Sequence, residues 1–328
     1  MLEWLQYLNN LEWRRAGAAF HSTPIAGSRV WFAEFTPRTG GGKRPRPAAR
    51  DGRRSPEDRP DPPTLVLLHG IGGTSCIFAP VIARLRHAYR LVVPDYLGLG
   101  SSRLPTGRDF LTLGELVELV RTLVARVAPA GAYVAGNSVG GWIAAKLAAQ
   151  CPELVRGLAL LNPAGAALRP EDYADFDLRE FVRTGESRNA AAWLKRMFYR
   201  PPLAMRLFLR DCAQIMRSPL VTKFLENLAP GDFLSAQELA RVRCPSVLIW
   251  GLQDRVVPDS CRTFYLENVK GIRYEPLAGC GHLPQVEFPE RTAEILLDLA
   301  LAGSVPSSED AAGLPCAGER ALVTRGAR

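Results

Sequence analysis

The sequence predicts an α/β fold, a mostly parallel, doubly wound sheet that carries a helical insertion. Short apolar runs of strand length alternate with helical segments from Thr64 to Leu161, and again from Ser246 onward. That rhythm belongs to strand–helix–strand units on a sheet covered on both faces. Between Pro163 and Arg243 the alternation stops and amphipathic helical pieces take its place. A chain of 328 residues, 47% hydrophobic and 23% charged, has the length for such a sheet plus an insertion.

The elements follow in order. Leu2, Leu5, Leu8 and Leu11 recur at helical spacing beside Trp4 and Trp13. This is a short helix packed on the body, with a membrane-surface helix as the alternative. Ser28–Phe35 is the first strand. Residues 37–63 hold eight basic and four acidic side chains, seven prolines, and no Val, Ile, Leu, Met or aromatic residue. Such a segment buries too little apolar surface to offset its ordering entropy, so a disordered loop is expected. Thr64–Leu68 is a buried strand, followed by a helix near Phe78–Arg86 and a strand at Arg90–Pro94. Thr112–Val127 places Leu113, Leu116, Val117, Val120, Leu123 and Val124 on one helical face. A strand at Ala132–Ala135, a small-residue helix at Val139–Ala149 and a strand at Val155–Leu161 complete the first half.

Helical pieces at Ala190–Tyr199, Leu203–Met216 and Val221–Leu228 make up the insertion. The sheet resumes at Ser246–Trp250, with a helix near Ser260–Asn268, a strand at Ile272–Pro276 and a last helix near Pro289–Ala300. Residues 302–328 read as a flexible tail. The expected organisation is a helix and first strand at 1–36, the loop at 37–63, core at 64–163, an insertion at 164–240, core at 241–301, and the tail.

Composition excludes several classes. Forty-one Lys/Arg against 33 Asp/Glu give +8, but +4 of it lies in 37–63, where no aromatic residue interleaves for base stacking, so no nucleic-acid partner is expected. Seven scattered cysteines without a C-x-x-C pair form neither a disulfide framework nor a zinc site, and no metal or organic cofactor is expected. The N-terminus lacks the apolar core of a secretory signal. The uncharged stretch Val127–Ala145 is broken by proline and glycines, so no stable membrane span is expected. A cytoplasmic protein with a small-molecule substrate is the default, its oligomeric state unread.

Gly136-Asn137-Ser138-Val139-Gly140-Gly141 lies between a strand and a helix. This is the G-x-S-x-G elbow in the context it requires, with the nucleophile serine in a strained backbone position on a sharp turn. The glycines admit close backbone approach, and the helix N-terminus aims free N–H groups at charge forming beside the serine. A serine needs a base. Of His21, His69, His87 and His282, elimination favours His282, in the glycine-containing loop Gly279–Pro284 after the last strand. Asp254 follows the strand Ser246–Trp250, at the strand end where α/β sites lie. Ser138, Asp254, His282 is the chain order of the corresponding triad. The alternative acid position after the preceding strand holds Asn162, which carries no charge, and Asp259 reads as a helix N-cap. His69-Gly70-Ile71-Gly72-Gly73 fits the other half of an oxyanion hole, with the Ile71 N–H paired to that of Val139. A dinucleotide fingerprint fails because its third glycine falls at Ser75.

These ordered signals, with Asp95–Ser102 and Trp250–Asp254, resemble the α/β-hydrolase superfamily in its serine-nucleophile branch over residues 64–301. The resemblance implies an α/β-hydrolase fold, a helical cap over the site at 164–240, and a structural role for Asp95–Ser102. The G-N-S-x-G-G and C-G-H sequences are also similar to meta-cleavage-product hydrolases, which split C–C bonds, and Asn137 matches that pattern as a substrate contact. Leu283 stands where that group usually has tryptophan, and none of Arg183, Arg188, Lys195 and Arg196 is singled out as its cap cation. The expected activity is hydrolysis of a small carboxylic ester through an acyl-enzyme. The alternatives are a C–C bond hydrolase and a catalytically silent binding protein of the same fold.

Overall fold

The computed structural model describes residues 2–37, 61–96, 98, 100–173, 177–183, 190–201 and 214–302. The expected loop at 37–63, the tail and much of the piece Leu203–Met216 lie largely outside these. Its strands are β1 (Ala19–Ile25), β2 (Ser28–Phe35), β3 (Thr64–Leu68), β4 (Arg90–Asp95), β5 (Ala132–Asn137), β6 (Val155–Leu161), β7 (Ser246–Gly251) and β8 (Arg273–Leu277). They form one sheet in the order β1-β2-β4-β3-β5-β6-β7-β8. The β1–β2 and β2–β4 pairs are antiparallel, and every later pair is parallel.

Period-two alternation explains the two layers. Val66 and Leu68 face one way, with Val134, Leu158 and Leu248, against α3 (Leu113–Val127) and α4 (Val139–Gln150). Leu65 and Leu67 face the other, with Val93, Ala135 and Ile249, against α2 (Ala79–Leu85) and the helix Pro289–Ala302. Thr112 starts α3 with a capping box, in which its hydroxyl accepts from Glu115 N and the Glu115 carboxylate accepts from Thr112 N at 2.8 Å.

The sequence reading missed β1. Its side chains are mostly exposed and show no alternation, and it holds Pro24, which an edge strand tolerates. The turn to β2 runs through Ala26 and Gly27, both with positive φ (47° and 78°), the signature of a tight hairpin. His21 therefore sits within β1, its Nε2 3.1 Å from Glu34 Oε2. Asp259 is a second difference. Pro258 is the N-cap, and Asp259 opens the helix Asp259–Asn268 as its first residue, paired to Arg262 one turn on. The first helix, α1 (Leu2–Arg15), packs on the body. Trp13 is buried edge-on against Phe35, and Gln6 Nε2 donates to Asp95 Oδ2 at 2.6 Å. Asp95 also accepts from the Ser75 and Ser101 amides, which gives the Asp95–Ser102 segment its structural role.

Between β6 and β7 the described helices include α5 (Leu178–Arg183), α6 (Ala190–Met197), Pro219–Glu226 and Ala236–Leu239. One ion pair ties the end of this segment to α4. Lys146 on α4 is buried, and its Nζ lies 3.2 Å from Glu238 Oε1. Burial pushes the Glu238 carboxyl up, but the Ser235 amide and the Lys146 ammonium outweigh it and hold it below its ordinary value. Its contribution to stability is therefore complete above the unfolded-state pKa and is lost as pH falls through the lower folded value. Glu238→Gln keeps a capping-box acceptor for Ser235 and strands the buried ammonium. The expected loss is about 1–3 kcal/mol at neutral pH, read by urea denaturation, and it shrinks in acid.

Candidate active site

Each expected catalytic side chain stands at the carboxyl end of a strand. Ser138 follows β5 with φ 57° and ψ −121°, a backbone conformation an L-residue holds only under strain. The glycines around it are required sterically. A Cβ on Gly136 would stand 2.2 Å from Gly140 O, and one on Gly140 would stand 2.2 Å from Leu68 O. The first turn of α4 thus lies directly on the ends of β3 and β5. Ser138 is itself 8% exposed.

Asp254 follows β7, and His282 lies in the loop after β8. His282 Nδ1 donates to Asp254 Oδ2 at 2.8 Å, and both side chains are buried. Asp254 is held on every side. Oδ1 accepts from the Val256 and Val257 amides at 2.7 and 3.2 Å, and Oδ2 accepts from Asn162 Nδ2 at 2.6 Å. Asn162, at the alternative position for the acid, is thus the hydrogen-bonded neighbour of Asp254. Its own Oδ1 accepts from Gly251 N at 3.0 Å, and its φ is 43°. Sequence reasoning had the position but no signal for the contact, which spans 92 residues. The expected substrate contact Asn137 lines the cavity described below, and its Nδ2 donates to Leu161 O and His282 O, both at 3.0 Å.

The loop after β3 approaches from the other side. A Cβ on Gly70 would meet Ser138 Cβ at 3.0 Å. Gly70 O is held by His69 Nδ1 at 2.9 Å and by Gly73 N at 3.2 Å. A carbonyl only accepts, so Nδ1 carries the proton. Burial lowers the His69 pKa, against the opposing Asp95 charge, and keeps the ring neutral. In a trans peptide the Ile71 N–H points opposite to Gly70 C=O. The buried histidine therefore turns the Ile71 N–H away from His69 and Gly73.

Two cavities meet at Ser138. The larger, about 520 Å³, is walled by Val139, Trp142, Leu178, Phe224, Leu225 and Phe233, with Asp177 and Arg179 also on it. The smaller, about 120 Å³, is lined by Ile71, Trp193, Phe198, His282 and Leu283. The structure thus gathers Ser138, Ile71, Asn137 and His282 around one cavity, and Ser138 with Val139 around the other. Among the aromatic residues of the insertion, Trp193 and Phe198 border the smaller cavity, and Phe181 stacks on Trp193 at 5.4 Å. Phe176 and Phe208 lie outside the described residues. Trp142, one turn beyond Ser138 on α4, was missed although its i, i+4 spacing from the serine put it on the same face. Lys195 and Arg196 line neither cavity. Arg188 and the Arg183 side chain lie outside the described residues. Among the described residues no cluster of His, Cys, Asp and Glu is suited to a metal ion, and no helix is long and apolar enough to cross a membrane.

Comparison with known proteins agrees with this architecture. Residues 65–295 match the model of the alpha/beta hydrolase family. Lipase 1 of Psychrobacter immobilis is 27% identical over 238 residues, 70% of this chain and 74% of the lipase. Among solved structures, a bacterial membrane phospholipase A superposes with a TM-score of 0.73 at 26% identity, covering 91% of each chain. The 2-hydroxy-6-oxo-6-phenylhexa-2,4-dienoate hydrolase of a Rhodococcus strain gives 0.68 at 20% identity over 87% of this chain and 99% of that one, a likeness of fold alone. On the match across the sheet and its strand-end loops, this chain belongs to the alpha/beta hydrolase family and is a hydrolase of that type.

Proposed function

We propose that the protein is a serine-dependent carboxylic-ester hydrolase working through an acyl-enzyme, with segment 164–240 as a cap over the site. The observation that carries this reading is the 2.8 Å His282–Asp254 pair sharing one site with a serine on a strained strand-to-helix turn. His282 takes the Ser138 proton as Oγ attacks the ester carbonyl carbon. Asp254 holds the imidazole tautomer with its proton on Nδ1 and steadies the imidazolium. The Ile71 and Val139 N–H groups receive the developing oxyanion, each such donor being worth about 3 kcal/mol of barrier. The imidazolium returns its proton to the departing alcohol, and a water activated by the same histidine then releases the acid.

The two cavities support a division of the substrate into two halves. The leaving oxygen must reach the general acid. His282 borders only the smaller cavity, so the alcohol belongs there and the acyl chain in the larger, apolar one. The favoured substrate is an ester of an apolar acid with a compact alcohol.

A series of methyl and p-nitrophenyl esters of lengthening acyl chain tests this reading. The expected kcat/KM rises from acetate to a chain several carbons long and then falls, with Ser138→Ala inactive throughout. A best rate on acetate would contradict the acyl assignment. C–C cleavage is the second reading, because Arg179 puts a cation on the larger cavity where a dienoate carboxylate could pair. Turnover of a ring-fission dienoate, with silence on every ester, would favour it.

A further inference from the structure

The loop that carries His282 has all four of its amides accounted for. Gly279 and Cys280 N–H both donate to Gln253 Oε1, beside the acid Asp254. Gly281 N–H donates to Glu287 Oε2 at 2.7 Å, and His282 N–H to Met197 O at 2.8 Å. The last two acceptors differ in kind from the first. Met197 ends α6, in the proposed cap, and Glu287 faces that cap as well. Its other oxygen, Oε1, accepts from Tyr199 N at 2.9 Å and Arg200 N at 3.0 Å. One carboxylate thus closes both the histidine loop and the chain leaving α6.

Sterics point the same way independently. A Cβ on Gly281 would stand 2.8 Å from both Met197 O and Tyr199 N, so the loop and cap backbones touch without room for a methyl group. Leu283, next to the histidine, packs with Leu194 and Phe198. The histidine loop is therefore supported on two sides: the sheet side through Gln253, Asn137 and Asp254, and the cap side through Glu287 and Met197.

We infer that Glu287 is a positioning residue, whose carboxylate locks the His282 loop to the cap segment Met197–Arg200 so that the base reaches its working alignment only while that segment is seated. This inference rests on the Ser138–His282–Asp254 reading above. Its chemical basis is that a carboxylate accepts on both oxygens. An amide accepts on one and presents N–H groups on the other, so Glu287→Gln keeps the volume and turns one side of the lock repulsive.

Two measurements on the full-length protein test it. In the wild type, amide hydrogen exchange read by mass spectrometry should give peptides covering 279–282 and 198–200 the same opening free energy, as one cooperative unit. In Glu287→Gln both should lose protection together. With an ester that the wild type turns over, kcat of the variant should fall by about tenfold to 10²-fold, the scale of a small misplacement of a reacting group. KM should change by less than about twofold, because Glu287 lines neither cavity. Glu287→Asp, which keeps both acceptor oxygens on a shorter stem, should fall in between. A lowered melting temperature with unchanged kcat in the folded fraction would mark the residue as merely structural and overturn the proposal. Independent exchange of the two segments would overturn it too, and this arm needs no variant to fold. Wild-type turnover that survives Ser138→Ala would overturn the triad reading, and with it the catalytic half of this one. Unequal protection in a serine-dependent enzyme would remove the lock alone.

Discussion

Asp254→Asn should lower kcat by about 10⁴-fold with the fold intact. The effect follows from who donates to whom. Asp254 Oδ2 receives His282 Nδ1 at 2.8 Å and Asn162 Nδ2 at 2.6 Å, while Oδ1 receives two backbone amides. All four partners are donors, so the position demands an acceptor on both oxygens. In the asparagine variant the backbone amides of Val256 and Val257 claim the carbonyl oxygen. The NH₂ group then faces His282 Nδ1, which has to become an acceptor and move its proton to Nε2. An imidazole protonated on Nε2 cannot take the serine's proton. The check is a steady-state rate on the best ester beside a melting curve. Near-normal kcat would show that some other group holds the tautomer.

Gly140→Ala is expected to act on the fold before it acts on the chemistry. The added methyl group would stand 2.2 Å from Leu68 O and 2.6 Å from His69 O, and both are backbone atoms of the strand end beneath α4. No side chain can swing aside, so α4 or β3 must move. The expected destabilisation is at the upper end of single-substitution effects, about 3 kcal/mol or more, with Ser138 displaced from its turn. Guanidinium unfolding measures it. Gly114, exposed on α3, is the control, since a Cβ there meets nothing within 4 Å. Replacing this first-turn glycine with alanine should be neutral to stabilising, by less than about 1 kcal/mol.

The legible parts of this molecule are those where one residue type at one place in the strand–helix rhythm has few uses. Ser138 between a buried strand and a small-residue helix, Asp254 after an apolar run, and His282 in a glycine loop could be placed by order alone. The parallel strands were legible because residues such as Val66 and Leu67 are buried on opposite faces of the sheet, which leaves a continuous apolar run. What could not be read depends on partners far away in the chain. Edge strand β1 shows no burial pattern to detect. Asn162 looked like an empty position until Asp254, 92 residues on, was set against it. Glu287 is one acid among 33 in the sequence, and only the folded chain brings the Gly281, Tyr199 and Arg200 amides to it. Aromatic spacing in the insertion likewise could not tell wall from packing. Trp193 borders a cavity, while the adjacent ring of Phe181 stacks behind it.

The most direct test is the mass of the intact protein after exposure to a fluorophosphonate, followed by peptide mapping. The expected result is one adduct per chain, on Ser138 in the peptide spanning β5 and α4, absent from Ser138→Ala and strongly slowed in His282→Ala. No adduct, or an adduct on another residue that leaves ester turnover unchanged, would contradict a serine nucleophile at the elbow.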